Sequence, residues 1–345
     1  PSWFFSNWGA NFADQPTTKH PIGLSGLGLI RNAFPEYAVD PTKPWGNGAA
    51  DLLNNVVDIP NIAQDNIGKS FFRKGNVFNT SVAVSGSSDK SGYNASVGYQ
   101  NEEGFTPGNT LKKLNLALGL NSQITKKLSI RSSFTYANTD MASPPLNAGY
   151  GSGPDGGIQS IFANVMYTPR NVDLAGWPYE NPVDRSSVYY RGGNDITNPL
   201  WLAKYHNDKS FVDRFFTSSS LNYDFNNDFS MTYRLGFDTY SETQERQYNK
   251  GATGGNVNII NGFYQSVAIK NSIWNHDLIL NYNKQITDKI NITALLGANN
   301  RFDQYEQFGM ASTGQLTFGL FNHSNFTATS NRTLDGSGLN YLEQE

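Results

Sequence analysis

Residues 114–120 read "LNLALGL". In an extended strand successive side chains point to opposite faces, so Leu114, Leu116, Leu118 and Leu120 share one side and Asn115, Ala117 and Gly119 share the other. One face of this strand therefore meets an apolar medium and the other a polar one. In a soluble sheet the apolar medium is a shared core; in a membrane barrel it is lipid. The rest of the chain has to decide between them.

A chain of 345 residues holds two ordinary domains or one large all-β domain. Hydrophobic residues make up 38% and the mean hydropathy is −0.50. No apolar run approaches the ~18 residues that a spanning helix needs. A barrel strand needs apolar residues only at alternate positions over about ten residues, so low mean hydropathy is neutral toward it. Aromatics at 13%, 33 glycines and only 16% charged residues favour twisted strands over solvated helices. The net charge is −3 and Lys and Arg are scattered, which excludes nucleic acid as a partner. With no cysteine, disulfides, thiolate metal sites and cysteine nucleophiles are all excluded. The opening "PSWFFSNWGA" has no basic region followed by an apolar stretch, so no signal peptide is read there.

The alternation recurs seven more times. "TSVAVSG" and "GYNASVGYQ" flank "SSDKS"; "LNLALGLNSQI" and "LSIRSSFTY" flank "TKK". "FTSSSLNYDF" and "FSMTYRLGFD" flank "NND"; "WNHDLILNY" and "INITALLGANNRFDQY" flank "NKQITDK". Each pair reads as a hairpin with one dry face and one wet face. Turns within pairs are short, while the segments between pairs are longer: "NEEGFTPGNT", residues 138–210 and residues 241–262. Outer-membrane barrels sort their connections in this way, with tight periplasmic turns and long extracellular loops. The expected organisation is an extracellular loop region over 1–70, barrel strands over 71–306, and a further extracellular loop over 307–345. The wet positions are mostly Ser, Asn, Thr, Gly and Asp, which line a broad lumen but fill a narrow one poorly. Counting strand directions puts both ends of the sequence on the long-loop side, so about eight strands of a larger transmembrane antiparallel β-barrel are expected. Within 138–210, "GGIQSIFANVMYTPR" sets Ile158, Ile161, Phe162, Val165 and Met166 at helical spacing ahead of Pro169, predicting a short amphipathic helix packed over neighbouring loops.

Little in the sequence points to catalysis. His20, His206, His276 and His323 are far apart and share no metal-ligand spacing. Glu102 and Glu103 are adjacent, so on extended backbone they diverge and cannot flank a scissile bond together. The N-x-[ST] matches at Asn94, Asn291 and Asn325 read as chance in an Asn-rich chain, and no Gly-rich phosphate loop precedes a helix. No catalytic residue, metal or cofactor is expected. Aromatics in the long segments, Trp45, Trp177, Tyr179, Tyr189, Tyr190 and Trp201, are substrate-binding candidates, since flat rings with a polar tip suit sugars and peptides. The competing reading is that they pin the loops to one another. Tyr99, Tyr136, Tyr223, Phe225, Phe229 and Tyr282 fall near strand ends and read as interfacial girdles.

The stretch "SVAVSGSSDKSGYNASVGYQNEEGFTPGNT" (81–110), "NPLW" (198–201) with the following "DRFFTSSSLNYDFNNDFSMTYRLGFD", and "LFNHSNF" (320–326) stand in an order that resembles the SusC/RagA-like family of TonB-dependent outer-membrane transporters. The resemblance covers most of residues 71–326. It implies a barrel of about 22 strands in the outer membrane of a Gram-negative bacterium, plugged by an N-terminal domain, energised through the TonB complex and capped by a SusD-like surface lipoprotein. The plug and the TonB-contacting N-terminal region are absent from this sequence. The implied function is import of oligosaccharides or peptides, and the chain is not expected to be an enzyme. Two alternatives stay open: a SusC-like scaffold subunit that holds other outer-membrane proteins, and a secreted β-sandwich with carbohydrate-binding or hydrolytic activity.

Overall fold

Short polar turns fix the hairpins. Thr125 Oγ1 accepts from the backbone N–H groups of Lys127 (3.1 Å) and Leu128 (3.0 Å). Asn226 Oδ1 accepts from those of Asp228 and Phe229, both at 2.9 Å, the Asx and hydroxyl turn chemistry that reverses a chain tightly. The computed structural model describes residues 17–21, 56–60, 62–65, 71–145, 160–168, 170, 172–176, 179–180, 185–187, 197–252, 260–331 and 341–343. A small antiparallel ribbon pairs β1 (Thr17–Pro21) with β2 (Val56–Pro60). A ten-stranded sheet follows: β3 (Asn76–Ser87), β4 (Ser91–Glu103), β5 (Thr110–Gln123), β6 (Leu128–Ser143), β7 (His206–Asp224), β8 (Phe229–Tyr248), β9 (Phe263–Thr287), β10 (Ile290–Gln315), β11 (Phe326–Asn331) and β12 (Tyr341–Glu343). Strands β3 to β11 each pair antiparallel with the next in chain order, and β12 pairs with β10.

The register carries the alternation of "LNLALGL" across the whole wall. Val84, Ala95, Leu118, Phe134, Thr217, Phe237, Trp274 and Phe302 form one lateral row through eight strands. One residue along, Ser85, Asn94, Gly119, Ser133, Ser218, Gly236, Asn275 and Arg301 form the row on the opposite face. A one-residue slip would exchange the two faces, so this match over eight strands specifies the register strongly. The apolar face is open: Val82 is 66% exposed and Leu116 42%. Among the described residues no second sheet covers it, unlike a β-sandwich, whose leucines would lie buried between sheets.

Rings mark both edges of the apolar band. Near the short turns Tyr223, Phe225 and Phe229 pack in sequence, with centroids 4.8 Å (edge to face) and 5.1 Å apart. Toward the other end Phe215, Phe237 and Trp274 do the same at 6.2 and 4.1 Å. From Tyr223 to Asp213 on β7, where the first carboxylate above the Phe215 ring ends the apolar face, ten steps at about 3.3 Å cover about 33 Å of strand. Tilted by about 40°, that is about 25 Å of height, the apolar band of an outer-membrane barrel.

The strands outrun the band, and here the structure departs from the expected boundaries. The 138–210 segment contracts to 144–205 and the 241–262 segment to 249–262, because β6, β7 and β8 extend into them. The boundary at 306 moves, since β10 continues to Gln315 and β11 returns alongside it. "NEEGFTPGNT" shrinks to a connection over 104–109, and "NKQITDK" to a turn at 288–289. Beyond the lipid both faces are wet, so ladder hydrogen bonds and polar cross-strand contacts hold the strands and no alternation advertises them.

The wall has no core of its own. The largest fully buried side chains, Trp201, Tyr248, Ile161, Leu174, Leu202, Val165 and Val172, lie at the long-segment end. There the expected loop helix appears as α1 (Ile161–Tyr167), its N-cap Ser160 accepting from Ala163 N–H at 3.3 Å. A second helix, α2 (Pro199–Tyr205), was not evident from periodicity.

Candidate functional site

The long segments converge on one packed cluster. In "NPLW" the Asn198 side chain caps α2 by accepting from Leu200 N–H at 3.0 Å, and Pro199 occupies the first helical position, where a missing N–H costs nothing. This places Trp201 and Leu202 against Phe71, Ile161, Val165 and Ala252. The Trp201 indole N–H donates to Arg185 O at 2.7 Å, so the ring is satisfied as well as enclosed. The connection between β4 and β5 reaches this cluster too: Gly108 has φ +84, and a Cβ there would lie 3.0 Å from Ala203 O.

Beside α2, the Lys204 ammonium donates to Glu180 Oε2 at 2.8 Å and lies over the rings of Tyr179 (5.3 Å) and Tyr205 (5.0 Å). The Glu180 hydrogen bond raises the Lys204 pKa above its ordinary value, so the side chain stays cationic. Burial, and then the hydrogen bond to Glu180, raise that of Tyr205. Next along the chain His206 stacks on Tyr248 at 4.8 Å with the Trp201 edge at 5.0 Å. Its Nε2–H donates to Asn249 O at 3.2 Å, while its Nδ1 has no partner. Complete burial pushes its pKa down to about 3, so the imidazole is neutral.

Asn249 and Gln315 tie the segment after β8 to the end of β10. Gln315 Nε2 donates to Asn249 Oδ1 (3.2 Å), and Gln315 Oε1 accepts from Lys250 N–H (3.0 Å). An open cleft of about 550 Å³ lies beside this link, bordered by Ser186, Lys250, Ile260, Asn261, Leu316 and Thr327. Its floor is glycine-tight: Gly251 has φ +101, and a Cβ there would meet Ser186 Cα at 2.8 Å. His323 staples the neighbouring strands, with Ser266 Oγ 2.8 Å from Nε2 and Ser312 Oγ 2.8 Å from Nδ1.

The structure sorts the sequence-predicted aromatics. Trp201 is buried to 0% exposure and acts as a loop pin, offering no face to a ligand. Tyr179 is half-buried at the rim of the same cluster. Trp45, Trp177, Tyr189 and Tyr190 lie outside the described residues. Sequence reasoning missed the cluster's polar members, Glu180, Lys204, Asn249 and Gln315. The capping signal in "NPLW" was the one local clue to α2. Among the described residues no three His, Asp or Glu side chains come close enough to hold a metal ion.

Below the cluster, the polar face of the wall is cross-linked by side chains. Thr232 Oγ1 donates to Asn222 Oδ1 (2.7 Å), Asn299 Nδ2 to Asn275 Oδ1 (3.0 Å) and Arg214 Nε to Asp238 Oδ1 (2.9 Å). Such a surface suits water or a polar occupant, and the opposite face suits hydrocarbon.

No protein-family model matches the chain. Two TonB-dependent receptors of Formosa agariphila are similar in sequence: one is 25% identical over 274 residues, covering 76% of this chain, and the other 24% identical over 287 residues, covering 79%. The chain spans about a quarter of the length of these curated relatives (25% of each). In fold, the wall is similar to the solved RagAB peptide transporter, with a TM-score of 0.65 at 18% identity, covering 93% of this chain and 33% of that one. The "closed-closed" state of the RagAB peptide importer gives 0.65 at 15% identity, covering 90% of this chain and 33% of that one.

Proposed function

We propose that this chain, an outer-membrane β-barrel segment of the SusC/RagA-like TonB-dependent receptor type, forms part of the wall of an importer for oligopeptides or oligosaccharides too large to diffuse through porins. The observation that carries the proposal is the eight-strand register that separates an open apolar face from a hydrogen-bonded polar face. That geometry suits a wall with lipid on one side and a polar passage on the other. The short turns face the periplasm and the packed cluster of long segments faces the cell exterior. A SusD-like surface lipoprotein is the partner for that outer cluster, and TonB supplies energy from the periplasmic side. Peptides come first among cargoes because the similar RagAB structures are of a peptide importer. The half-buried Tyr179 ring and the cleft beside Lys250 are the described surfaces at which cargo or the lid would first be met. Trp45, Trp177, Tyr189 and Tyr190 remain candidates for the same role.

Uptake of labelled oligopeptides and oligosaccharides into cells with and without the full-length protein tests this reading. Uptake of one class is expected to disappear with the gene and to return with it, and to stop when the proton-motive force is collapsed. Unchanged uptake, together with stoichiometric co-purification of other outer-membrane proteins, would replace the importer with a scaffold.

A further inference from the structure

In the lipid-spanning part of the polar face, two arginines are ion-paired within the wall. Arg214 is held by Asp238 and Arg301 by Asp303. Arg131 on β6 and Arg234 on β8 are different: both are exposed, and among the described residues neither makes a hydrogen bond or an ion pair. They lie in one lateral row, because Ser220 on β7 is the register partner of both. Two interstrand spacings put their backbones about 9.6 Å apart, with only a serine hydroxyl between. Ser218 and Gly236 in the next row leave that ground low and open.

We propose that Arg131 and Arg234 form a two-armed clamp for a carboxylate presented from inside the barrel. The inference rests on the polar face being the lumen. Both strands flanking each arginine are present in the sheet, β5 and β7 for Arg131 and β7 and β9 for Arg234, and the wall does not neutralise the pair. The register partner of Arg131 on β5 is Asn121, which is uncharged. The partner of Arg234 on β9 is Asp277, whose carboxylate accepts from Asn299 and Asn275. Two guanidinium groups against one committed carboxylate leave a net positive site, and the neutralising group has to come from the lumen. Guanidinium forks match a carboxylate in shape, and two of them over a hydroxyl-lined floor can grip one anion from both sides. The carboxylate belongs either to cargo, as an acidic side chain or chain terminus, or to a segment of the same polypeptide lodged in the lumen.

Chemical modification of Ser220→Cys in the full-length protein, reconstituted in liposomes, tests the clamp. The chain described here contains no cysteine of its own. The rates to compare are those of an anionic sulfonate-bearing and a cationic trimethylammonium-bearing methanethiosulfonate reagent. The two arginines, offset by Asp277, should speed the anionic reagent about fivefold and slow the cationic one by a similar factor. R131Q/R234Q should abolish that bias. Protection of the cysteine by a glutamate-rich peptide, but not by a serine-rich peptide of equal length, places the carboxylate on cargo. A cysteine shielded from both reagents in the arginine-bearing protein and opened by R131Q/R234Q places it on a resident segment. Identical rates with and without the arginines would overturn the clamp. If Leu221→Cys reacts with both water-soluble reagents while Ser220→Cys reacts with neither, before and after R131Q/R234Q, the assignment of the lumen face fails instead.

Discussion

Leu118→Arg and Ala117→Arg are neighbours in sequence, yet they should differ sharply in cost. Leu118 lies in the apolar row between Ala95 and Phe134, is 39% exposed, and has no protein layer above it. Its replacement forfeits about 2 kcal/mol of leucine transfer into lipid and adds about 2–4 kcal/mol for a cation near the bilayer midplane. The expected loss is about 4–6 kcal/mol. Ala117 lies one residue away in the polar row, between Ser96 and Thr135. An arginine there enters the wet face and should cost less than about 1 kcal/mol, as most exposed substitutions do. The gap of about 4 kcal/mol corresponds to roughly a thousandfold change in the folding equilibrium. Urea unfolding of the full-length protein in lipid vesicles, with the folded fraction followed by retarded migration on unboiled gels, would measure it. Equal losses for the two variants, or a larger loss for Ala117→Arg, would refute the assignment of faces and everything built on it.

Trp201→Ala should free the outer cluster without melting the wall. Emptying this fully enclosed site costs about 3–5 kcal/mol, so limited proteolysis of intact cells should cut within 144–205 at least a hundredfold faster while the strands stay protected. Acid should loosen the same cluster. His206 titrates near 6.5 when unfolded and near 3 when buried, so the stability it supports is complete above about pH 6.5 and falls as the pH drops toward 3. At pH 5 the loss is about 2 kcal/mol. Amide exchange around Tyr248 and Asn249 should quicken accordingly between pH 7.5 and 5, and His206→Gln should flatten that dependence.

How much could be read in advance follows from where water and lipid lie. "LNLALGL" and its seven counterparts were legible because hydrocarbon on one side and water on the other impose period two on the residues between. Above Phe302 the same β10 strand runs through Gln304, Glu306 and Gln307 with water on both sides, so its continuation to Gln315 left no pattern to find. α1 announced itself through Ile161, Phe162 and Val165. α2, seven residues long, is too short for periodicity and was visible only as the Asn198–Pro199 cap. Trp201 was identified as a site candidate from its ring chemistry, but whether an indole binds a ligand or fills a core depends on tertiary contacts with Phe71 and Val165, far off in sequence. Arg131 and Arg234 are 103 positions apart in sequence, and nothing relates them until the register aligns both on Ser220.

The length of β10 has a mechanical consequence. On the orientation proposed above, the thirteen steps from Phe302 to Gln315 rise about 43 Å along the strand at about 3.3 Å each, or roughly 30 Å above the outer girdle at a tilt of about 40°. Hydrogen-bonded to β9 as far as Thr313 and to β11 from Met310 to Gln315, this ribbon behaves as a stiff chimney. It carries the outer ends of the strands, and the cluster packed on them, clear of the headgroups as one rigid body, so that thermal bending of the wall is resisted well above the bilayer.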